Sequence, residues 1–204
     1  MRFNLLAAAV LLATPMLATA KPLTVCTESS PDGFDVVQFN SLVTTNASAD
    51  VIFNTLVSYD EASKKVAPSL AEKWDVSGDG LTYTFHLRPN VQFQTTDYFK
   101  PTRTLDADDV VFTFERMLSD SNPWHKVAGA SGFPHAQSMG LVKLIKSVSK
   151  MDYSTVRFEL NEPNATFLPI LTMGFASIYS AQYADQPVTM GSFGPDRTDG
   201  RPLP

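Results

Sequence analysis

An α+β fold with a small, mostly antiparallel sheet is the class this sequence predicts, and three stretches carry the prediction. Residues 81–88 alternate strictly, with Leu81, Tyr83, Phe85 and Leu87 on one face and Thr82, Thr84, His86 and Arg88 on the other. That two-residue period marks a half-buried strand. Residues 148–151 and 155–160 flank Asp152-Tyr153-Ser154 as the two arms of a hairpin. Asp106-Ala107-Asp108-Asp109 opens a helix whose apolar positions are Val110, Val111, Phe114, Met117 and Leu118. Strand pairs and helices in separate runs select α+β.

The remaining elements follow in chain order. Leu23-Thr24-Val25-Cys26-Thr27 alternates like a strand and ends at the turn signal Ser30-Pro31-Asp32-Gly33. Residues 47–59 carry Ala47, Val51, Phe53 and Leu56-Val57 at helical spacing, with Asn46 or Ser48 available as the N-cap. Residues 66–76 lead into the turn Ser77-Gly78-Asp79-Gly80 ahead of the alternating strand. In the later helix Asp106 can cap, and Asp108 and Asp109 sit at the positive end of the dipole. Residues 121–126 and 129–140 read as a long Gly-, Ser- and Pro-rich loop, and 142–145 as a short helix. Pro163-Asn164 stops the second hairpin arm, and an apolar helix is expected over 165–171 despite Pro169. From Gln186 onward Gly and Pro break every period, so residues 186–204 are expected to be disordered.

Composition excludes several function classes. The 16 Lys and Arg are outnumbered by 21 Asp and Glu, and the basic residues do not cluster. A nucleic-acid footprint needs such a cluster, so no nucleic acid is expected as a partner. A single cysteine, Cys26, closes no internal disulfide, and three scattered histidines make no conventional zinc site. The N-terminus places Arg2 before the apolar run 5–13 and ends in Ala18-Thr19-Ala20. A positive end, a short apolar core and small residues at the cleavage site describe a secretory signal peptide over residues 1–20, leaving Lys21 first. The run is about half of the ~20 apolar residues that a membrane-spanning helix needs. Cys26 would then lie in an oxidising compartment as a buried thiol, an intermolecular thiol or half of a pair.

No G-x-G-x-x-G, P-loop, G-x-S-x-G or H-E-x-x-H motif occurs. The acidic run at 106–109 is not an EF-hand, since its sixth and twelfth positions are Val111 and Met117 where Gly and Glu are needed. His86 lies on the polar face of its strand without a second histidine at ligand spacing. Neither a cofactor nor a metal is expected, and from the residues alone the chain reads as an exported binding module without visible catalytic machinery.

Residues 68–88, Pro-Ser-Leu-Ala-Glu-Lys-Trp-Asp-Val-Ser-Gly-Asp-Gly-Leu-Thr-Tyr-Thr-Phe-His-Leu-Arg, resemble the signature of the family 5 extracellular solute-binding proteins of bacterial ABC importers. Leu105-Asp106-Ala107-Asp108-Asp109-Val110-Val111 resembles the family's next block. Asn122-Pro123-Trp124-His125-Lys126-Val127 and Phe175-Ala176-Ser177-Ile178-Tyr179-Ser180 resemble its dipeptide-binding branch. The resemblance implies a periplasmic-binding-protein-like fold (class II, family 5). Residues 21–51 would begin lobe one, 52–180 would form a small α/β domain inserted in it, and 181–204 would be the chain end and a divergent tail. Members run to about two and a half times this length, several domains at the usual size.

By the same resemblance the chain is a partial lobe one of a monomeric periplasmic receptor that passes di- or oligopeptides to an inner-membrane permease. Phe39, Asn40 and Ser41 match the first-lobe loop lining the ligand cleft, followed by Leu42 where dipeptide receptors often have Gly. The Asp and Arg that pair with the peptide's two charged ends belong to a second lobe outside this chain. Cys26 matches a cysteine whose disulfide partner lies further along than this chain extends, so it is expected as a free thiol. Residues 186–204 do not match the family's return segment, which implies a truncation or frameshift near Asp185. Haem- and opine-type ligands, or a role as a chemoreceptor partner, are alternatives within the superfamily. A secreted hydrolase domain is the alternative outside it.

Overall fold

The computed structural model describes residues 24–185. The expected signal peptide over 1–20 and the expected disordered tail from Gln186 lie outside the described residues. The first element is α1 (Leu42–Ile52), whose N-cap Ser41 accepts a hydrogen bond from the Thr44 amide. The strands β1 (Val57–Asp60) and β2 (Lys65–Pro68) form a separate antiparallel pair. Next come β3 (Ala71–Val76), β4 (Thr82–Leu87), and α2 (Ala107–Leu118). A 3₁₀ segment over Pro123–Ser131 leads to α3 (Pro134–Ser138) and α4 (Leu141–Leu144). The hairpin β5 (Ile145–Asp152) and β6 (Thr155–Leu160) follows, then α5 (Phe167–Ile170), a 3₁₀ turn over Gly174–Ala176 and α6 (Ala181–Ala184).

The main sheet is antiparallel with the order β3-β4-β6-β5. On β4 the apolar face Tyr83, Phe85 and Leu87 is buried, and Val156, Phe158 and Leu160 continue it on β6. Helix α2 covers this face, with the Phe114 ring 4.9 Å from Phe158 and Phe158 5.5 Å from Phe85, both edge to face. Such pairs add about 0.5–1.5 kcal/mol beyond the area they bury. The α+β class, the alternating strand, the hairpin and the Asp106 cap all appear as expected. Asp106 accepts from the Asp108 amide while Asp109 reaches back to the Asp106 amide, a closed capping box.

Four local expectations are corrected. The helix expected over 47–59 spans Leu42–Ile52, capped by Ser41 rather than by Asn46 or Ser48, and 57–60 is strand β1. Its apolar residues serve tertiary partners: the Phe53 ring lies 4.7 Å from Tyr179, and Tyr59 pairs with Val66 across the β1–β2 register. Residues 24–27 form no strand and have no pairing partner among the described residues. The long loop at 121–140 is largely helical, because Asn122 caps the Trp124 amide and Pro123 fills the first helical position. The short helix expected over 142–145 begins at Leu141 and hands Ile145 to β5.

The chain leaves and re-enters one place. Thr55 and Ser177 form an antiparallel bridge, and the Ile178 amide donates to the Asn54 carbonyl at 2.9 Å. A single buried cluster nevertheless runs through both sides of this crossing, from Val36 and Phe53 to Phe158, Phe175 and Tyr183.

Candidate functional site

The Phe39-Asn40-Ser41 loop sits at the amino end of α1, and each of its three residues is held differently. Ser41 is occupied as the helix cap, and its carbonyl accepts from the Thr45 amide at 3.0 Å. The Phe39 ring lies against Gly33 so closely that a Cβ there would collide with it. The Phe39 backbone lies beside the His135 imidazole. Asn40 is exposed, which makes its side chain the group of the three that is turned to solvent. Leu42, where a glycine is common in the dipeptide branch, points outward with 68% of its surface exposed and does not fill the loop.

The backbone ahead of the loop is anchored by a buried ion pair. Arg116, on α2, donates in fork geometry to Asp35, with Nη1 2.9 Å from Oδ2 and Nη2 2.6 Å from Oδ1. Asp35 is 6% exposed and Arg116 only 1%. The guanidinium lies 4.6 Å over the Tyr179 ring and 5.7 Å from those of Phe112 and Phe133, so three aromatic faces confine it. Its Nε has no hydrogen-bond partner among the described residues. The Val36 amide donates to the Tyr179 hydroxyl at 3.0 Å. Burial, and then the Asp35 carboxylate, push the Tyr179 phenol well above the usual tyrosine range, so it stays protonated. Gln38 closes the turn, its amide on the Asp35 carbonyl at 2.9 Å and its side chain on Asp35 Oδ2 at 2.6 Å.

Asp35, Arg116 and Tyr179 therefore frame the site, and none was singled out by reading the sequence for function. One signal was available for Arg116. Asp109, Thr113 and Arg116 recur at i, i+4 and i+7 and share a face of α2. All three are buried, and they face the returning chain: Asp109 accepts from the Ala181 amide at 2.8 Å and Thr113 from the Tyr179 amide at 2.9 Å. Arg103 clamps Asp109 from the other side with contacts of 2.6 and 2.8 Å.

Cys26 is a free, exposed thiol and belongs to no part of this site. Of the open alternatives for it, the buried thiol is corrected, because residues 24–27 pair with nothing that could cover them. His86 meets Asp75 at 2.9 Å on the outer face of the sheet, as a hydrogen-bonded strand residue. Among the described residues, no three His, Cys, Asp or Glu side chains are grouped closely enough to hold a metal ion. None of the described helices is long and apolar enough to cross a membrane. The arrangement offers a rigidly framed loop with one exposed amide side chain, which suits binding through polar contacts.

Residues 65–199 match the family described as bacterial extracellular solute-binding proteins, family 5 Middle. The chain belongs to this family. The match of this family 5 chain continues past Asp185 to residue 199, which corrects the expected departure from the family pattern at Asp185. A "Probable di/tripeptide-binding protein 5" of Pseudomonas aeruginosa is 60% identical over 98% of the chain, which spans 37% of that relative's length. Among solved structures, HbpA2 from Haemophilus parasuis is 40% identical with a TM-score of 0.76, over 82% of this chain and 32% of that one. The dipeptide-binding protein from Pseudoalteromonas sp. SM9913, in complex with Met-Leu, is 37% identical with a TM-score of 0.75, over 78% and 31%. The fold is thus that of the family 5 periplasmic binding proteins, and this family 5 chain spans about a third of its relatives' length.

Proposed function

We propose that this chain forms the first-lobe portion and inserted domain of a periplasmic receptor that binds di- or oligopeptides and delivers them to an inner-membrane ABC permease. It is exported by the signal peptide at 1–20, acts as a binding protein and not an enzyme, and works as a monomer. The 60% identity to a di/tripeptide-binding protein over nearly the whole chain carries this reading. In the proposed division, residues 52–180 are the inserted domain, a boundary supported by the Thr55–Ser177 bridge where the chain leaves and returns. Asn40 contacts the peptide backbone, while Phe39 and Ser41 shape the loop that presents it.

The test is a fusion of residues 1–185 to the carboxyl-terminal remainder of the Pseudomonas aeruginosa relative. The fusion is expected to bind Met-Leu with a Kd on the order of 1–10 μM by calorimetry. Replacing Asn40 by Ala should weaken it by about three- to ten-fold, the worth of one hydrogen bond. A folded fusion that ignores a dipeptide panel would overturn the peptide reading.

A further inference from the structure

A cavity of about 310 Å³, open to solvent on one side, lies where the carboxyl end of α2 meets the turn between α3 and α4. None of residues 39–41 borders it. Its apolar wall is made by Met117 and Phe133, each 1% exposed, with the more exposed Leu118 and Val142 beside them. An apolar cavity of about 150 Å³ is enough to hold benzene, so a body of several carbons fits here even if the outer part stays wet. Two donors border the same space with nothing to donate to. Neither the Gln137 amide nor the Lys143 ammonium has a hydrogen bond or an ion pair among the described residues. They stand on the two arms of one turn, in which the Gly140 amide donates to the Gln137 carbonyl at 3.0 Å and the Lys143 amide to the Gly140 carbonyl at 3.1 Å. Gly140 takes the positive φ of 67° that this turn requires and that glycine adopts freely. The Asn161 side chain holds the second arm through the Lys143 carbonyl at 2.8 Å. On the first arm the Gln137 amide rests so close to Gly132 that a Cβ there would collide with it.

We propose that this cavity is a second binding site, for a small carboxylic acid with a compact apolar body, in which Lys143 and Gln137 take the carboxylate while Met117 and Phe133 take the body. An apolar wall with a few convergent polar groups is the usual make-up of a small-molecule site. The free groups here are both donors and one is a cation, which selects an anionic acceptor. A carboxylate can accept from both at once, and bonds to a charged acceptor are the stronger kind. The remaining polar groups at the cavity are already engaged. His125 donates through Nδ1 to the Arg116 carbonyl at 2.8 Å, and its Nε2 faces the Asp120 carboxylate at 3.1 Å. Asp120 is itself 98% exposed, so water screens its charge from the cavity. The site is independent of the peptide reading of the loop at 39–41.

Methyl NMR on the full chain, labelled in its methionine methyl groups, tests the site. Met117→Leu identifies the Met117 signal, and the exposed Met151 and Met173 serve as controls. Titration with 4-methylpentanoate should move the Met117 signal saturably, with a Kd on the order of 1 mM, and leave the controls in place. Lys143→Gln and Gln137→Leu should each raise that Kd about three- to ten-fold, the net worth of one hydrogen bond. Both side chains are exposed and unpartnered among the described residues, so the variants keep the fold, and unshifted control signals verify it. Lys146→Gln removes an equal charge from the opposite face of the sheet's edge strand β5, outside the cavity, and should leave the Kd unchanged. The neutral analogue 4-methylpentanamide should bind about ten-fold more weakly than the acid. A Met117 signal that stays still at about ten times the expected Kd would overturn the proposal. So would K143Q binding the acid as tightly as wild type, or the amide binding as tightly as the acid. Equal losses in K143Q and K146Q would also overturn it, since the protein's overall charge and not the cavity would then be attracting the acid.

Discussion

Burial pushes the His135 imidazole below the usual histidine range, and the Phe39 backbone beside it opposes the shift. With the folded value below the unfolded value of about 6.5, the unfolded chain binds the proton first as pH falls. The contribution of neutral His135 is therefore complete above about pH 6.5 and is lost between there and its lower folded value. Every other titrating group is common to wild type and variant and cancels in a comparison. Urea unfolding from pH 7.5 down to 5 should show wild type losing stability more steeply than His135→Gln. Parallel slopes would mean that His135 titrates normally. The Arg116–Asp35 pair shows why single residues here were hard to read beforehand. A lone Arg on a helix face is ordinarily solvated, and its burial depends on an aspartate 81 positions away. His135 likewise comes beside the Phe39 backbone only once the chain has folded.

Helix α2 organises the molecule through two faces. Phe114 faces the sheet, and Asp109, Thr113 and Arg116 face the crossing segments. Its capping box yields two linked predictions. Asp106→Ala should cost about 1 kcal/mol, the usual worth of an N-cap, whereas Asp106→Asn should be nearly neutral at pH 7 because Asn caps equally well. Burial first, and then the neighbouring Asp109 charge, raise the Asp106 carboxyl, so the charge itself brings little benefit there. Asp109→Ala should cost more, about 3 kcal/mol, because it removes the carboxylate that takes two bonds from Arg103 and strands the Asp106 and Ala181 amides together. Chemical denaturation of the three variants checks the order, and equal losses for D106A and D109A would contradict it. Elements with strong internal signals were readable in advance, since the period of β4, the hairpin β5–β6 and the Asp106 cap are all local patterns. Residues 53–60 have helical spacing of apolar residues, yet α1 ends at Ile52, Phe53 packs on Tyr179 and Tyr59 pairs with Val66. Tertiary pairing overrode a periodic pattern of moderate strength. The loop 39–41 was found through family resemblance, and its framing residues could not be, because distances of this kind leave no mark on spacing.

At the scale of the whole molecule, two crossings at 54–55 and 177–178 join segments that share one buried cluster. The polar stripe on α2 ties the leading segment through Asp35 and the returning segment through the Tyr179 and Ala181 amides. One continuous core with its buried polar groups largely paired is the condition for folding as a unit. The chain by itself should therefore fold cooperatively, with a single urea transition seen alike by circular dichroism and tryptophan fluorescence from Trp74 and Trp124. Binding is a separate matter. A dipeptide carries two opposite charges, and removing either from water without a partner costs several kcal/mol, whereas each hydrogen bond to a charged group returns roughly 1.5–3 kcal/mol. The loop at 39–41 offers the exposed Asn40 and backbone groups, with Ser41 already engaged as a cap. No charged side chain of the loop meets either end of the peptide. Calorimetric titration of the folded chain with Met-Leu and a dipeptide panel should accordingly give a Kd no tighter than about 1 mM, a binding free energy near −4 kcal/mol. The gain on fusing it to the remaining part of a relative, expected at a hundred-fold or more by that same scale, measures what charge pairing and enclosure add to a loop that is already rigid. Micromolar binding by the chain alone would mean that both ends of the peptide find partners within residues 24–185, and the site would then have to be sought away from Asn40.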